Sequence, residues 1–213
     1  MSISLLLVDD HKMLREGIKQ LLEFDDEIIV TGQASSCEEC LDLCKSGHFD
    51  VVVIDVNLPD GSGIKLVPEI KKKAEDTACL ILTVHNEVEY LVDAIESGAD
   101  GYILKESGSS ELIRAIKAVF NKERYIQSDL IPAYNARLVK METDSLKTRD
   151  ITKREKQILI SIALGRSNKD IADEYDISER TVKNHITSLF KKIGVSDRTQ
   201  AAVFAIRNNF VQL

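Results

Sequence analysis

Nowhere in this 213-residue chain do apolar side chains run on for ~18 positions, so no transmembrane helix is expected. Nor does the start look like a secretory signal. Met1-Ser2-Ile3-Ser4-Leu5 lacks a basic stretch before its apolar run and soon reaches Asp9-Asp10, which reads as a first strand. The expected location is therefore the cytoplasm, with no membrane partner and with cysteines kept reduced. Cysteine is scarce too. Three of the four, Cys37, Cys40 and Cys44, fall at i, i+3 and i+7 on one helix face, and no second Cys/His pair stands at zinc spacing. Small core-facing cysteines explain that pattern better than a metal cluster does.

The overall charge of −7 conceals an asymmetry. Residues 1–125 carry a net −11, residues 126–147 balance, and residues 148–213 carry a net +4. An acidic front and a basic tail suggest two domains, the second facing a polyanion.

The front is organised around Val51-Val52-Val53-Ile54-Asp55 and the following Val56-Asn57-Leu58-Pro59-Asp60-Gly61. Four apolar residues in a row read as a strand covered on both faces. Pro-Asp-Gly then turns the chain and leaves Asp55 at the strand's carboxyl end. Taken alone, that is as easily a strand cap as a reactive group. The surrounding pattern decides between them. Strands are expected at Ser4–Val8, Glu27–Ala34, Val51–Asp55, Ala78–Val84 and Gly101–Leu104. Helices are expected at His11–Phe24, after the Ser36/Glu39 capping box, and at Ile64–Lys73, Glu87–Ser97 and Ser110–Asn121. Five strand-helix repeats imply a doubly wound, five-stranded parallel sheet. Its strand ends would bring Asp9, Asp10, Asp55, Thr83, His85 and Lys105 to one edge. Clustered carboxylates repel, and Mg²⁺ suits such a hard, accessible oxygen set. Asp55 could then attack phosphorus, with Lys105 and Thr83 holding phosphoryl oxygens.

Residues 1 to about 121 resemble the receiver domain of bacterial two-component response regulators. The matching residues are Asp9-Asp10, Asp55 followed by LPDGSG, Thr83, and Lys105 after GYIL. The resemblance implies the flavodoxin-like strand order 2-1-3-4-5. It implies Asp55 as phosphoacceptor and Mg²⁺ held by Asp10 and Asp55, with Asp9 assisting and Asn57 giving its backbone carbonyl. It also implies Thr83 and Tyr102 as a switch pair, Tyr102 rotating inward. Glu106 stands where many receivers have proline, as often happens in receivers joined to the kind of tail found here.

Residues 122–147 read as a linker: Lys122–Ile126 extended, a short helix from Ser128 to about Leu138, then a polar stretch of mixed charge through Asp150. From Ile151 the pattern is helical, with a capping box at Thr152/Glu155, caps at Ser167 and Ser178, breaks at Gly165 and Gly194, and a last helix over Asp197–Asn209. On the helix Glu179–Ile193, the residues Val182, Ile186, Leu189, Phe190 and Ile193 share one side. Arg180, Lys183, Asn184, Thr187 and Lys191 share the other, with no acid among them, and His185 lies between. Such a face suits the major groove and its phosphates.

ITKRE at 151–155, SNKDIAD at 167–173 and ISERTVKNHITSLFKKIGVSDRTQAA at 177–202 resemble the LuxR-type four-helix DNA-binding domain. With the receiver, this is similar to the NarL/FixJ class of response regulators. The resemblance implies an all-α helix-turn-helix domain over 148–213, with Lys183, Asn184 and Thr187 near bases and Thr181, Lys191 and Arg198 on the backbone. It implies a sensor histidine kinase and double-stranded promoter DNA as partners, a homodimer formed on phosphorylation, and RNA polymerase as a further candidate. The unphosphorylated receiver is expected to mask the recognition helix. An enzymatic alternative, a phosphatase using Asp55, would need a second acid two residues on, where Asn57 stands. A third reading is a receiver that works by protein binding without phosphate, against which the full residue set argues.

Overall fold

The computed structural model describes residues 2–211. The chain divides into two compact units, Met1–Asn135 and Ala136–Leu213.

In the first unit, strands β1 (Ile3–Val8), β2 (Ile28–Ala34), β3 (Val51–Ile54), β6 (Ala78–Thr83), β7 (Gly101–Leu104) and β8 (Tyr125–Ile126) form one sheet in the order β2-β1-β3-β6-β7-β8. Every pairing in it is parallel. The hairpin β4 (Asn57–Leu58) and β5 (Gly61–Ser62) lies outside the sheet. Helices α1 (Lys12–Leu22), α2 (Cys37–Ser46), α3 (Gly63–Lys73), α4 (Val88–Glu96) and α5 (Ser109–Phe120) alternate with the strands. β3, β6 and β7 are buried at every residue, because helices cover both faces. Side chains alternate across the sheet. Leu6, Val8, Val52, Ile54 and Ile81 pack with Cys40, Val67 and Leu91, while Leu5, Leu7, Val51, Val53 and Leu80 pack with Ile18, Leu22 and Ile116.

All five expected strands are present, and the sheet gains a sixth, β8, at its edge. Only Tyr125 and Ile126 of the stretch read as extended are in it, tied by Tyr125 N–H to the Asp100 carbonyl. Residues before them close α5, where Lys122 adopts φ 66°. Cys40 and Cys44 are buried in the core beside Cys79, and Cys37 is partly buried. Ser36 caps α2 as expected, but the Glu39 carboxylate takes its bonds from Ser35, one residue earlier than a capping box requires.

The larger departure follows. A 3₁₀ turn at Ser128–Leu130 leads into α6, which runs 19 residues from Ile131 to Arg149. The residue pattern predicts a helix end near Leu138 and irregular chain beyond it. Mixed charge concealed a helix whose composition lacks a clear apolar stripe.

In the second unit, α7 (Lys153–Ala163), α8 (Asn168–Glu174), α9 (Glu179–Ile193) and α10 (Arg198–Arg207) follow α6. Thr152/Glu155 and Ser167/Asp170 form reciprocal capping boxes, and Ser178 and Asp197 cap α9 and α10. Gly194 ends α9 in the left-handed region, φ 72°, where a side chain would be strained. Ile158, Leu159, Ile171, Val182, Leu189 and Phe204 form the core.

Candidate functional site: a carboxylate–lysine centre and a basic helix face

Three strands deliver the centre. Asp9 follows β1, Asp55 follows β3 and Lys105 follows β7, each fixed by a backbone bond to its neighbouring strand: Asp9 N–H to Ala34, Asp55 N–H to Val8, Lys105 N–H to Thr83. Lys105 Nζ sits 2.7 Å from Asp9 Oδ2 and 2.7 Å from Asp55 Oδ2. Both carboxylates are only 2 % exposed. Asp55 Oδ1 is buried with no hydrogen-bond partner. Burial pushes the Asp55 carboxyl above its ordinary range; Lys105 pulls it down and the Asp9 charge pushes it up again. For Lys105, burial favours the neutral amine, but its bonds to Asp55 and Asp9 outweigh that and raise its pKa.

Asp10 is exposed beside this pair, its Oδ1 2.7 Å from His11 Nδ1. One ligand atom each from Asp9, Asp10, His11 and Asp55 lie within 4.8 Å of one another. The carboxylate oxygens of Asp9, Asp10 and Asp55 in this group fit a hard divalent cation.

The remaining expected residues gather one step away, around His85. Thr83 is fully buried and its hydroxyl accepts from His85 N–H at 3.2 Å; among the described residues it makes no bond to Asp55. Tyr102 is fully buried, with its hydroxyl donating to the His85 carbonyl at 2.8 Å. Its ring is thus already inward, and burial raises its phenol pKa. Asn57 is exposed, and its side-chain amide meets His85 Nε2 at 3.0 Å. The His85 ring stacks on Tyr90 with centroids 4.1 Å apart.

Three contributors escaped the sequence reading. His11 adds a nitrogen to the acidic group. Arg15 donates to the Asp9 carbonyl and braces the β1–α1 turn. Gly63 lets α3 start against the phosphoacceptor candidate: a Cβ there would lie 1.9 Å from the Asp55 carbonyl oxygen. The second glycine of the Gly-Ser-Gly run was its visible signal.

In the second unit, Arg180, Lys183, Asn184, Thr187 and Lys191 are all exposed along α9. The side chains of Arg180, Lys183, Asn184 and Lys191 have no bonding partner among the described residues, whereas Thr187 donates to the Lys183 carbonyl. Thr181 is half-buried, its hydroxyl 2.8 Å from that of Ser178 in the cap. Arg198 lies elsewhere in role: it bonds Asn168 Oδ1 at 3.2 Å and the Arg166 carbonyl, holding α10 to the start of α8. Beneath α9 sits Glu155, 3 % exposed, which accepts from Thr152, from Ser188 at 2.8 Å and from Lys192 at 2.7 Å. Burial opposes its charged form, but those bonds outweigh it and hold the carboxyl at about 2.

A doubly wound domain with a carboxylate–lysine centre at its strand ends, followed by a helix-turn-helix unit, defines a class of signal-responsive DNA-binding regulators. Comparison with known proteins narrows it. Residues 5–117 match the response regulator receiver domain, and residues 149–205 match the bacterial regulatory proteins of the luxR family. The chain is 38% identical over 203 residues to the DNA-binding transcriptional activator DevR/DosR of Mycobacterium tuberculosis, covering 95% of this chain and 94% of that one. It is 35% identical over 202 residues to the nitrate/nitrite response regulator protein NarL of Escherichia coli (strain K12), covering 94% of each. Among solved structures, the response regulator ChrA of a heme-sensing two-component system shares 31% identity with a TM-score of 0.53, across 99% of both chains. The chain belongs to the two-component response regulators that join a receiver to a LuxR-type DNA-binding domain, and it is a transcriptional regulator. No described helix is long and apolar enough to cross a membrane.

Proposed function

We propose that Asp55 accepts a phosphoryl group from a sensor histidine kinase and that this event promotes dimerisation and promoter binding. In this reading residues 1–121 act as the receiver, residues 122–147 connect, and residues 148–213 bind DNA. The observation that carries it is Asp55 itself: a buried carboxylate with one oxygen held by Lys105 and the other without a partner. An unpartnered, poorly solvated oxygen is suited to attack. As Asp55 Oδ1 bonds to phosphorus, the bond from phosphorus to the kinase histidine nitrogen breaks and the imidazole keeps the electron pair. Lys105 moves from the carboxylate pair to a phosphoryl oxygen, exchanging one anion for another. Thr83 gives up its bond from His85 N–H and offers its hydroxyl to a second oxygen. Tyr102, behind it, reads the new position of the loop carrying His85. Asp9, Asp10, Asp55 and the Asn57 carbonyl would hold Mg²⁺, which when bound offsets the charge arriving on the phosphoryl oxygens.

Output follows from a two-state receiver biased toward one state. Dimers match paired half-sites. Lys183, Asn184 and Thr187 face base edges, while Arg180, Thr181 and Lys191 face phosphates; Arg198 would reach a phosphate only by releasing its bonds to Asn168 and Arg166, and RNA polymerase is a further partner at the promoter. The compartment is the cytoplasm. Intact mass and sedimentation on the full chain, with Mg²⁺ and a small phosphodonor, test the reading. Wild type is expected to gain one phosphoryl group and shift toward dimer, and Asp55→Ala to do neither. Equal phosphoryl gain in both proteins would sink it.

A further inference from the structure

His11 stands at a helix start that its side chain does not cap. It occupies the N-cap of α1 in an extended conformation, φ −81° and ψ 96°. The ring turns over the acidic group instead, with Nδ1 2.7 Å from Asp10 Oδ1 and 3.3 Å from Asp9 Oδ1. The backbone fixes that direction, since His11 N–H donates to Asp9 Oδ1 at 2.8 Å. One nitrogen and three carboxylate oxygens thereby lie within 4.8 Å of one another. Ligands on opposite sides of a six-coordinate ion stand on the order of 4.2 Å apart for bonds of about 2.1 Å, so the group needs little closing. Crowded acids alone would not mark a site. The independent sign is Asp55, which is 2 % exposed and whose Oδ1 has no hydrogen-bond partner. A buried lone pair lacking a donor needs an explanation, and a cation supplies one.

The donor set also bears on which cation. Mg²⁺ takes oxygen ligands and holds its waters, whereas imidazole suits the first-row transition ions, with affinity rising from Mn²⁺ onward. We propose that His11 supplies Nδ1 as a further ligand to a divalent ion held by Asp9, Asp10, Asp55 and the Asn57 carbonyl, and so tilts this centre from Mg²⁺ toward Mn²⁺. The inference rests on the reading of the three aspartates as a cation site. For Nδ1 to present its lone pair, the ring proton must sit on Nε2, and the ring is 67% exposed, so that N–H has water as its partner.

The test uses the full chain, MnCl₂ and MgCl₂ alone as probes, and the variants His11→Gln and Asp55→Asn. Mn²⁺ spin-echo envelope modulation is expected to show imidazole ¹⁴N coupling in wild type and to lose it in His11→Gln. Calorimetric titration is expected to show the Mn²⁺-over-Mg²⁺ preference falling about tenfold in His11→Gln, and both ions weakening in Asp55→Asn. Bound Mn²⁺ without ¹⁴N coupling overturns the inference, as does an equal loss of both ions in His11→Gln, which would make His11 a prop for Asp10. Coupling that survives at full affinity in Asp55→Asn also overturns it, by placing the ion elsewhere. If wild type gains a phosphoryl group with Mg²⁺ while showing no ¹⁴N coupling, the phosphoacceptor reading stands and this one falls. If neither ion binds and no phosphoryl group is gained, both fall.

Discussion

Both units bury carboxylate against a lysine at 2.7 Å, Asp9 and Asp55 sharing Lys105 in the first and Glu155 holding Lys192 in the second, and Asp55 and Glu155 leave their lone pairs in opposite states. Glu155 is 3 % exposed and both its oxygens are taken, by Thr152, Ser188 and Lys192. Asp55 is 2 % exposed and only one of its oxygens is taken. The difference shows in their proton affinities: Glu155 is held down at about 2, while Asp55 is pushed up by burial. Burial alone therefore says little about a carboxylate's role. What separates a structural group from a reactive one is whether its lone pairs are already spoken for.

The harshest way to break the contrast is Gly63→Ala. A methyl 1.9 Å from the Asp55 carbonyl oxygen and 2.7 Å from Ile54 Cγ2 must push α3 off the loop that presents Asp55. A cost of about 3 kcal/mol is expected in urea unfolding of the receiver, with phosphoryl uptake falling alongside. Next comes Glu155→Gln, which strands Lys192 and two hydroxyls and should cost on the order of 2 kcal/mol, discounted because Lys192 is partly exposed. Its signature is in pH. A carboxyl lower in the folded state stabilises above its unfolded pKa, ~4.3, and that support is lost as pH falls toward about 2. Thermal unfolding of the tail should show this acid-side loss in wild type and a flatter profile in Glu155→Gln. Asp55→Asn should have the opposite sign. A carboxyl raised in the folded state opposes folding when ionised, and acidification through its folded pKa relieves that opposition. At pH 7 the variant is expected to be more stable than wild type by about 1 kcal/mol, with the gain shrinking in acid, since Lys105 keeps Asp9. A variant less stable than wild type at pH 7 would make Asp55 a structural group like Glu155. The smallest effect on stability belongs to Lys183→Ala, expected within ~0.5 kcal/mol of wild type because the side chain has no partner, while promoter affinity drops about tenfold in gel shift.

Much of this was legible in sequence because it rests on periodicity and on chain position. Four apolar residues before Asp55 signal a strand covered on both faces, and strand ends of a parallel sheet must share an edge, so Asp9, Asp55 and Lys105 could be brought together on paper. The α9 faces followed from the helical repeat. What escaped depends on tertiary neighbours. Glu155 was visible only as half of a capping box, since Ser188 and Lys192 are 33 and 37 residues away. Gly63 matters because a carbonyl passes beside it, which no local pattern records. The second half of α6 looks like loose chain because its mixed charges give no stripe, and the extended Tyr125–Ile126 carries too little pattern to show its pairing as β8.

The capped starts of α7, α8, α9 and α10 have a kinetic consequence. Each is closed by a residue three positions away, so the tail's helices are specified by contacts close in sequence. The receiver depends on parallel pairings such as β3 with β6, between Val51 and Ala78, which must wait for distant chain to arrive. Chains rich in local contacts fold in microseconds to milliseconds, and those built on distant pairings more slowly. The ribosome releases the slow unit first and the fast one last. The basic helix α9 is thus assembled only after the acidic first unit has had the longest time to close.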